Sequence, residues 1–108
     1  MASEKNMKKI AELQLMEAQL QNVLMQKQSV QMEISEVENA IEELRNSDEE
    51  VYKIISGAMI KSTKEKLNKE LDDKKKLLET KIGAMGKQEK ILEKNSSDLR
   101  NEIIPKKQ

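Results

Sequence analysis

Few side chains in this sequence could carry out chemistry at a site. Histidine and cysteine are absent, and these are the commonest acid–base, nucleophilic and transition-metal-binding residues. The carboxylates of Asp72 and Asp73 are adjacent in sequence, so on a helix they diverge by roughly 100° and do not converge on one substrate. We therefore expect neither catalysis nor a bound metal or cofactor.

A lysine-rich stretch offers a second kind of chemistry, the binding of phosphate groups. Its members are Lys61, Lys64, Lys66, Lys69, Lys74, Lys75 and Lys76. Acidic residues are interleaved with these lysines, and the stretch contains no aromatic residue on which bases could stack. Over the whole chain 20 basic residues balance 20 acidic ones. A solvated helix face is therefore favoured over a site for nucleic acid or for an anionic membrane.

The composition indicates long helices and not a compact globular core. Charged residues make up 37% of the chain and aromatic residues 1%, with Tyr52 the only aromatic residue. Such chains, rich in Glu, Lys, Leu, Ile and Gln, are typical of coiled coils. No apolar run approaches the roughly 18 residues needed to cross a bilayer, and the first residues lack the apolar region of a signal peptide. We expect a single cytoplasmic domain over residues 1–108 that does not contact membranes.

Apolar residues at spacings of three and four predict a first coiled-coil helix over about residues 6–46. The inward positions of this seam are Leu13, Met16, Leu20, Val23, Lys27, Val30, Ile34, Val37, Ile41 and Leu44. Lys27 is the one charged member, and it can fix the register or extend its ammonium group to water.

A second seam predicts a helix over about residues 63–104, with Ser62 as its N-cap and Pro105 just beyond its end. Its inward positions are Leu67, Leu71, Lys74 or Lys75, Leu78, Ile82, Met85, Glu89, Leu92, Ser96, Leu99 and Ile103. The matching lengths predict an antiparallel pair, in which Leu44 lies near Leu67 and Ile10 lies near Leu99. Gly83 and Gly86 should make the middle of this helix its softest part.

Between the helices, residues 51–61 predict a β-hairpin with strands at about 51–55 and 58–61. Val, Ile and Tyr favour strands, and Ser56-Gly57 suits a tight turn. A lone hairpin is marginal in water and its edges invite other chains, so we expect it to assemble with other subunits, although it could instead fold onto its own helices. We call its assembly residues the hairpin surface: Val51, Tyr52, Ile54, Ile55, Gly57, Ala58, Met59 and Ile60.

The chain resembles the β-class subunits of the prefoldin family, in the branch of the archaeal β subunit and eukaryotic subunit 6. The likeness is carried by Gln26-Lys27-Gln28, by the segment from Asp48 to Gly57, by the segment from Met59 to Lys66, and by Gln88-Glu89-Lys90. In having a single hairpin the chain resembles the β class, because α-class subunits carry two hairpins.

This resemblance implies an ATP-independent chaperone that holds unfolded proteins and delivers them to a group II chaperonin. It also implies a hexamer of two α-class and four β-class subunits, in which the hairpins join into an oligomeric β-barrel. A structural coiled-coil scaffold without chaperone activity is the alternative.

The ends of the helices carry more apolar residues than one seam needs, and exposed apolar surface marks binding sites. We call these candidate client-binding residues the terminal surface: Met7, Ile10, Leu13, Met16, Leu99, Ile103 and Ile104. For Leu13, Met16 and Leu99, ordinary coiled-coil core is the favoured interpretation, whereas for the other four residues client contact and core packing are equally favoured.

Overall fold

A computed structural model describes residues 4–103 of the chain. The elements follow the order α1 (Glu4–Asn46), β1 (Val51–Ile55), β2 (Ala58–Ser62) and α2 (Lys64–Ile103). The predicted fold class, two long helices flanking a short antiparallel hairpin, is confirmed. Helix α1 begins two residues before its predicted start, and β2 continues to Ser62. Ile104 and Pro105 lie outside the described residues.

The described chain forms two compact units. Unit 1 contains residues 4–28 and 83–103, and unit 2 contains Ser29–Ile82 with the β-hairpin. In each unit, segments of α1 and α2 run antiparallel, as predicted. In unit 1, Lys9 pairs with Glu102 and Lys27 pairs with Glu89. In unit 2, Glu38 pairs with Lys75.

The predicted seams form the core of both units. Every seam position of α1 from Leu13 to Leu44 is buried or half-buried. The same holds for the seam of α2, in which the half-buried Lys75, and not the exposed Lys74, takes the inward position. The most deeply buried apolar side chains are Val23, Val30, Ile34, Val37, Leu44, Leu78 and Leu99. The heptad pattern thus predicted the core positions correctly.

The ends of the helices next to the hairpin are held by local hydrogen bonds. After α1, the Ser47 N–H donates to the Leu44 carbonyl (3.4 Å) and the Glu49 N–H donates to Ser47 Oγ (3.2 Å). At the start of α2, the Lys66 N–H donates to Thr63 Oγ1 (3.2 Å), so Thr63 is the N-cap. The predicted cap at Ser62 was wrong because Ser62 pairs with Val51 in the sheet.

Candidate interaction surfaces

The hairpin presents two different faces. Its register pairs Ile54 with Met59 and Tyr52 with Lys61, and these four side chains share one face because side chains alternate along a strand. The other face carries Val51 and the side chains in step with it. Val51, Lys53 and Ser62 are half-buried, which shows that this second face is covered at the base of the hairpin.

The face that carries Ile54 and Met59 is open to solvent. Ile54 is 72% exposed and its cross-strand partner Met59 is 68% exposed. Tyr52 on the same face, and Ile55 and Ile60 on the opposite face, are also exposed, so most of the hairpin surface predicted from the sequence is uncovered in the single chain. An exposed apolar cross-strand pair of this kind is suited to burial against another protein.

The two-residue turn is tightly specified. Ser56 and Gly57 have φ values of 49° and 82°, the positive values that a type I′ hairpin turn requires at both central positions. The described part of the chain contains a sheet of two strands, so each strand has one edge without a neighbouring strand. Such an edge offers its N–H and C=O groups to a strand from another chain.

Glu50 links the two strands at the end of the hairpin that lies away from its turn. Tyr52 Oη donates to Glu50 Oε2 (2.8 Å), and Lys61 Nζ donates to Glu50 Oε1 (3.2 Å). The hydrogen bond from Tyr52, followed by that from Lys61, lowers the pKa of Glu50 below its ordinary value of 4.5. Because the same bond favours the protonated phenol, the pKa of Tyr52 lies above its ordinary value of 10.0. One carboxylate therefore ties a cross-strand pair together.

The base of the hairpin lies on the helices of unit 2. Leu44 from α1 and Leu67 from α2 line one shallow groove together with Val51, which agrees with the predicted proximity of Leu44 and Leu67. Lys53 Nζ lies 2.7 Å from Glu70 Oε2, so a strand residue is also tied to α2. The hairpin is anchored at its base while the Ile54–Met59 pair stays uncovered.

The terminal surface is divided between exposed and packed residues. Met7 and Ile10 are exposed on α1. Leu13, Met16 and Ile103 are half-buried and Leu99 is buried, as expected of seam positions. Asn6 and Lys9 occupy the half-buried positions at this end of α1, which leaves Met7 and Ile10 beside the seam. Ile104 lies outside the described residues, and client binding by the whole set stays a prediction.

Sequence reasoning missed how the polar residues of the seams pair. Lys27 Nζ lies 2.9 Å from Glu89 Oε1, so polar residues at inward positions of the two seams form one ion pair inside unit 1. Ser96, another polar residue of the second seam, is buried and donates its hydroxyl to the Glu93 carbonyl (3.0 Å). These contacts satisfy the polar groups that the seams bury.

The lysine-rich stretch is partly engaged in ion pairs in unit 2. Lys75 pairs with Glu38 (3.5 Å) and Lys61 pairs with Glu50. Among the described residues there is no group of three or more acidic side chains arranged to hold a metal ion. Within residues 4–103, neither helix contains a stretch apolar enough and long enough to cross a membrane.

Comparisons with known proteins point to one family. A family model described as "Prefoldin subunit" matches residues 7–108. The prefoldin subunit beta of Saccharolobus islandicus strain L.S.2.15 is 42% identical over 59 residues, which cover 52% of this chain and 47% of that protein. The corresponding subunit of Sulfurisphaera tokodaii is 41% identical over 59 residues, with the same coverage. The match thus spans about half the length of these curated relatives.

The fold agrees with a solved structure over nearly its full length. The prefoldin beta subunit from Thermococcus strain KS-1 superposes with a TM-score of 0.88 and 33% sequence identity. The superposition covers 94% of this chain and 90% of the other.

Proposed function

The chain belongs to the prefoldin subunit family, as a β-class member, and from this premise we propose that it is a subunit of an ATP-independent chaperone that holds unfolded proteins. It works by binding, without catalysis, and it acts in the cytoplasm. Its partners are α-class prefoldin subunits and further copies of itself, in a hexamer of two α-class and four β-class chains. The complex passes its clients to a group II chaperonin.

Assembly through the hairpin surface is supported by the exposure of the Ile54–Met59 pair and by the two unpaired strand edges. Burying each of these side chains against a neighbouring subunit is worth about 1.5–3 kcal/mol. Closing several hairpins into a β-barrel would also pair the free N–H and C=O groups of the edges. Both gains are available only in the assembled state.

The single observation that carries the holding function is the exposed apolar surface of unit 1. Met7, Ile10 and Leu15 lie uncovered on α1 within a chain of high charge content. Unfolded proteins expose apolar side chains of many shapes, and the flexible, polarizable side chain of Met7 can adapt to them. Open apolar surface of this kind suits broad recognition better than recognition of one ligand.

The alternative is a scaffold that joins two folded partners through its helices. An aggregation assay separates the two functions. A denatured enzyme is diluted into buffer without nucleotide, alone or with the chain and an α-class subunit, and light scattering is followed. We expect the wild-type complex to suppress scattering and the double variant Met7→Glu with Ile10→Glu to lose several-fold in this activity, because the charges remove the apolar contact.

The matched control is Leu77→Glu, which adds a charge at an exposed apolar residue of unit 2. It should keep wild-type activity. A wild-type complex that leaves the scattering unchanged would favour the scaffold. Full activity of the double variant would remove Met7 and Ile10 from the client-binding surface.

A further inference from the structure

A second heptad pattern runs along the solvent side of α1 in unit 1. Ala11, Leu15, Ala18, Asn22 and Met25 follow one another at spacings of four, three, four and three residues. All five are exposed, with Leu15 at 61% and Met25 at 64%. We call these five residues the outer seam. On a helix their positions lie nearly opposite the buried seam of Leu13, Met16, Leu20 and Val23.

The outer seam has almost no charge around it, although charged residues make up 37% of the chain. Of the six positions that flank it between residues 12 and 28, five are glutamine and the sixth is Glu12; the glutamines are Gln14, Gln19, Gln21, Gln26 and Gln28. The other charged residues of this segment, Glu17 and Lys27, are engaged with Arg100 and Glu89 of α2. A solvent-facing helix surface with so little charge is unusual for a coiled coil, whose outer positions are commonly charged.

We propose that the outer seam binds amphipathic α-helical segments of client proteins, a proposal that rests on the holding function proposed above. The spacing selects a helix as the occupant. A heptad seam offers holes into which the apolar residues of a second helix fit, since both surfaces repeat every seven residues. In an extended chain the side chains on one face follow one another at about 6.6 Å, whereas the side chains of the outer seam follow one another at alternate steps of about 6.0 and 4.5 Å. An extended chain therefore does not match the spacing of the seam.

The sizes of the side chains also suit a helix. Ala11 and Ala18 leave room for another helix to approach closely. The longer side chains of Leu15, between them, and Met25, seven residues beyond Ala18, then make contact with it. Unfolded chains form transient helices, and these expose an apolar stripe until they find their own partners. The outer seam would cover such a stripe while the client is held.

The flanks favour a client over a second copy of this chain. Charges beside a heptad seam fix the partner and the orientation of a coiled coil, and mismatched charges exclude wrong partners. The glutamine flanks carry no such code, so helices of many sequences and of either orientation are accepted. The flexible side chain of Met25 adds tolerance for different shapes.

Two fluorescein-labelled peptides of identical composition test the proposal by fluorescence anisotropy with the full chain. In one, leucines follow a heptad pattern that favours an amphipathic helix; in the other, leucines alternate in a pattern that favours a strand. We expect the heptad peptide to bind at least tenfold more tightly. We also expect Leu15→Glu with Met25→Glu to weaken its binding at least tenfold, with helicity by circular dichroism unchanged.

The matched control is Met32→Glu with Leu77→Glu, which adds the same two charges in unit 2 at side chains that are 65% and 70% exposed. It should bind the heptad peptide as the wild type does. Equal affinity for both peptides, or unchanged affinity in the Leu15/Met25 variant, would overturn the proposal. A lower oligomeric mass for the Leu15/Met25 variant than for the wild type, both without peptide, would also overturn it, because the outer seam would then bind a second copy of this chain.

The aggregation assay separates failure of this proposal from failure of the holding function. If the wild-type complex suppresses aggregation but the full chain shows no preference for the heptad peptide, only the outer-seam proposal fails. If it suppresses no aggregation at all, the holding function itself fails.

Discussion

At the scale of single residues, Glu50 is the group on which the order of the hairpin's open face depends. It lies just before β1 and accepts hydrogen bonds from Tyr52 and Lys61, which face each other across the two strands. The carboxylate therefore fixes the only aromatic ring of the chain beside the Ile54–Met59 pair. Because the network is exposed, its role is to orient these side chains more than to stabilise the fold.

Tyr52 reports on this network directly, because it is the only tyrosine and the chain has no tryptophan. We predict that its ionisation, followed by ultraviolet absorbance, has a midpoint above 10.0, since the bond to Glu50 favours the protonated phenol. Glu50→Gln removes the negative charge and should move the midpoint back towards 10.0. Glu49→Gln is the control and should leave it unchanged. A wild-type midpoint at or below 10.0 would show that the bond does not persist in solution.

The same shifts set the sign of the pH dependence. The lowered pKa of Glu50 means that its contribution is complete at neutral pH and is lost as the pH falls through the lowered pKa, below 4.5. The raised pKa of Tyr52 means that its contribution is complete below 10.0 and is lost as the pH rises through the raised pKa. The network is therefore intact over the whole neutral range.

Individual residues also show what a sequence can and cannot predict. Lys27 and Glu89 were recognised as polar residues at inward positions because that conclusion needs only the heptad pattern. Their pairing depends on the exact register between the two helices. The register predicted from the matching lengths, with Leu44 near Leu67 and Ile10 near Leu99, places Lys27 opposite about residues 82–84 and so did not indicate the ion pair with Glu89. The outer seam was missed for a different reason. Only one apolar seam was traced along each helix, although the four-and-three spacing of the outer seam is visible in the sequence.

At the scale of elements, the two glycines of α2 have no steric explanation. Outside its chain neighbours and the adjoining backbone of its own helix, a Cβ added at Gly83 or at Gly86 would meet no atom within 4 Å, so neither position needs glycine for close packing. Glycine in a helix interior destabilises the helix by about 1 kcal/mol relative to alanine. These residues therefore weaken α2 locally without any gain in packing, which suggests that ease of local opening is what they provide.

We predict that Gly83→Ala with Gly86→Ala raises the free energy of unfolding by about 2 kcal/mol, the sum of two helix propensities. Urea unfolding followed by circular dichroism measures this change. If local opening of α2 serves the function, the stabilised variant should hold clients less well in the aggregation assay. Ala84→Gly is the matched control and should lower stability by about 1 kcal/mol. A loss of stability in the double alanine variant would contradict the open surroundings of both glycines.

The elements themselves were largely predictable because each has a local cause. The period of the apolar residues gave both helices, and the β-branched run with Ser56-Gly57 gave the hairpin and its turn. The cap of α2 was misplaced by one residue because Ser62 and Thr63 are chemically equivalent candidates. Strand pairing with Val51 decides between them, and that pairing is not a property of the local sequence.

At the scale of the whole molecule, the hairpin surface and the terminal surface can be changed independently. The first lies in unit 2, and the described residues of the second lie in unit 1. A substitution that blocks assembly and one that blocks client binding should therefore give different phenotypes. This separation makes the proposed hexamer testable without disturbing the surface proposed to hold clients.

Assembly is tested by exchanging the exposed cross-strand pair for a charged one. Ile54→Lys with Met59→Glu removes the apolar contact, while the opposite charges face each other and keep the hairpin paired. We predict that the wild-type chain mixed with an α-class subunit gives a six-chain mass by light scattering, whereas this variant gives smaller species. Met7→Glu with Ile10→Glu, the control in unit 1, should keep the full mass. A full-sized complex formed by the charged hairpin would show that subunits join elsewhere, because desolvating those charges costs several kcal/mol more than burying isoleucine and methionine.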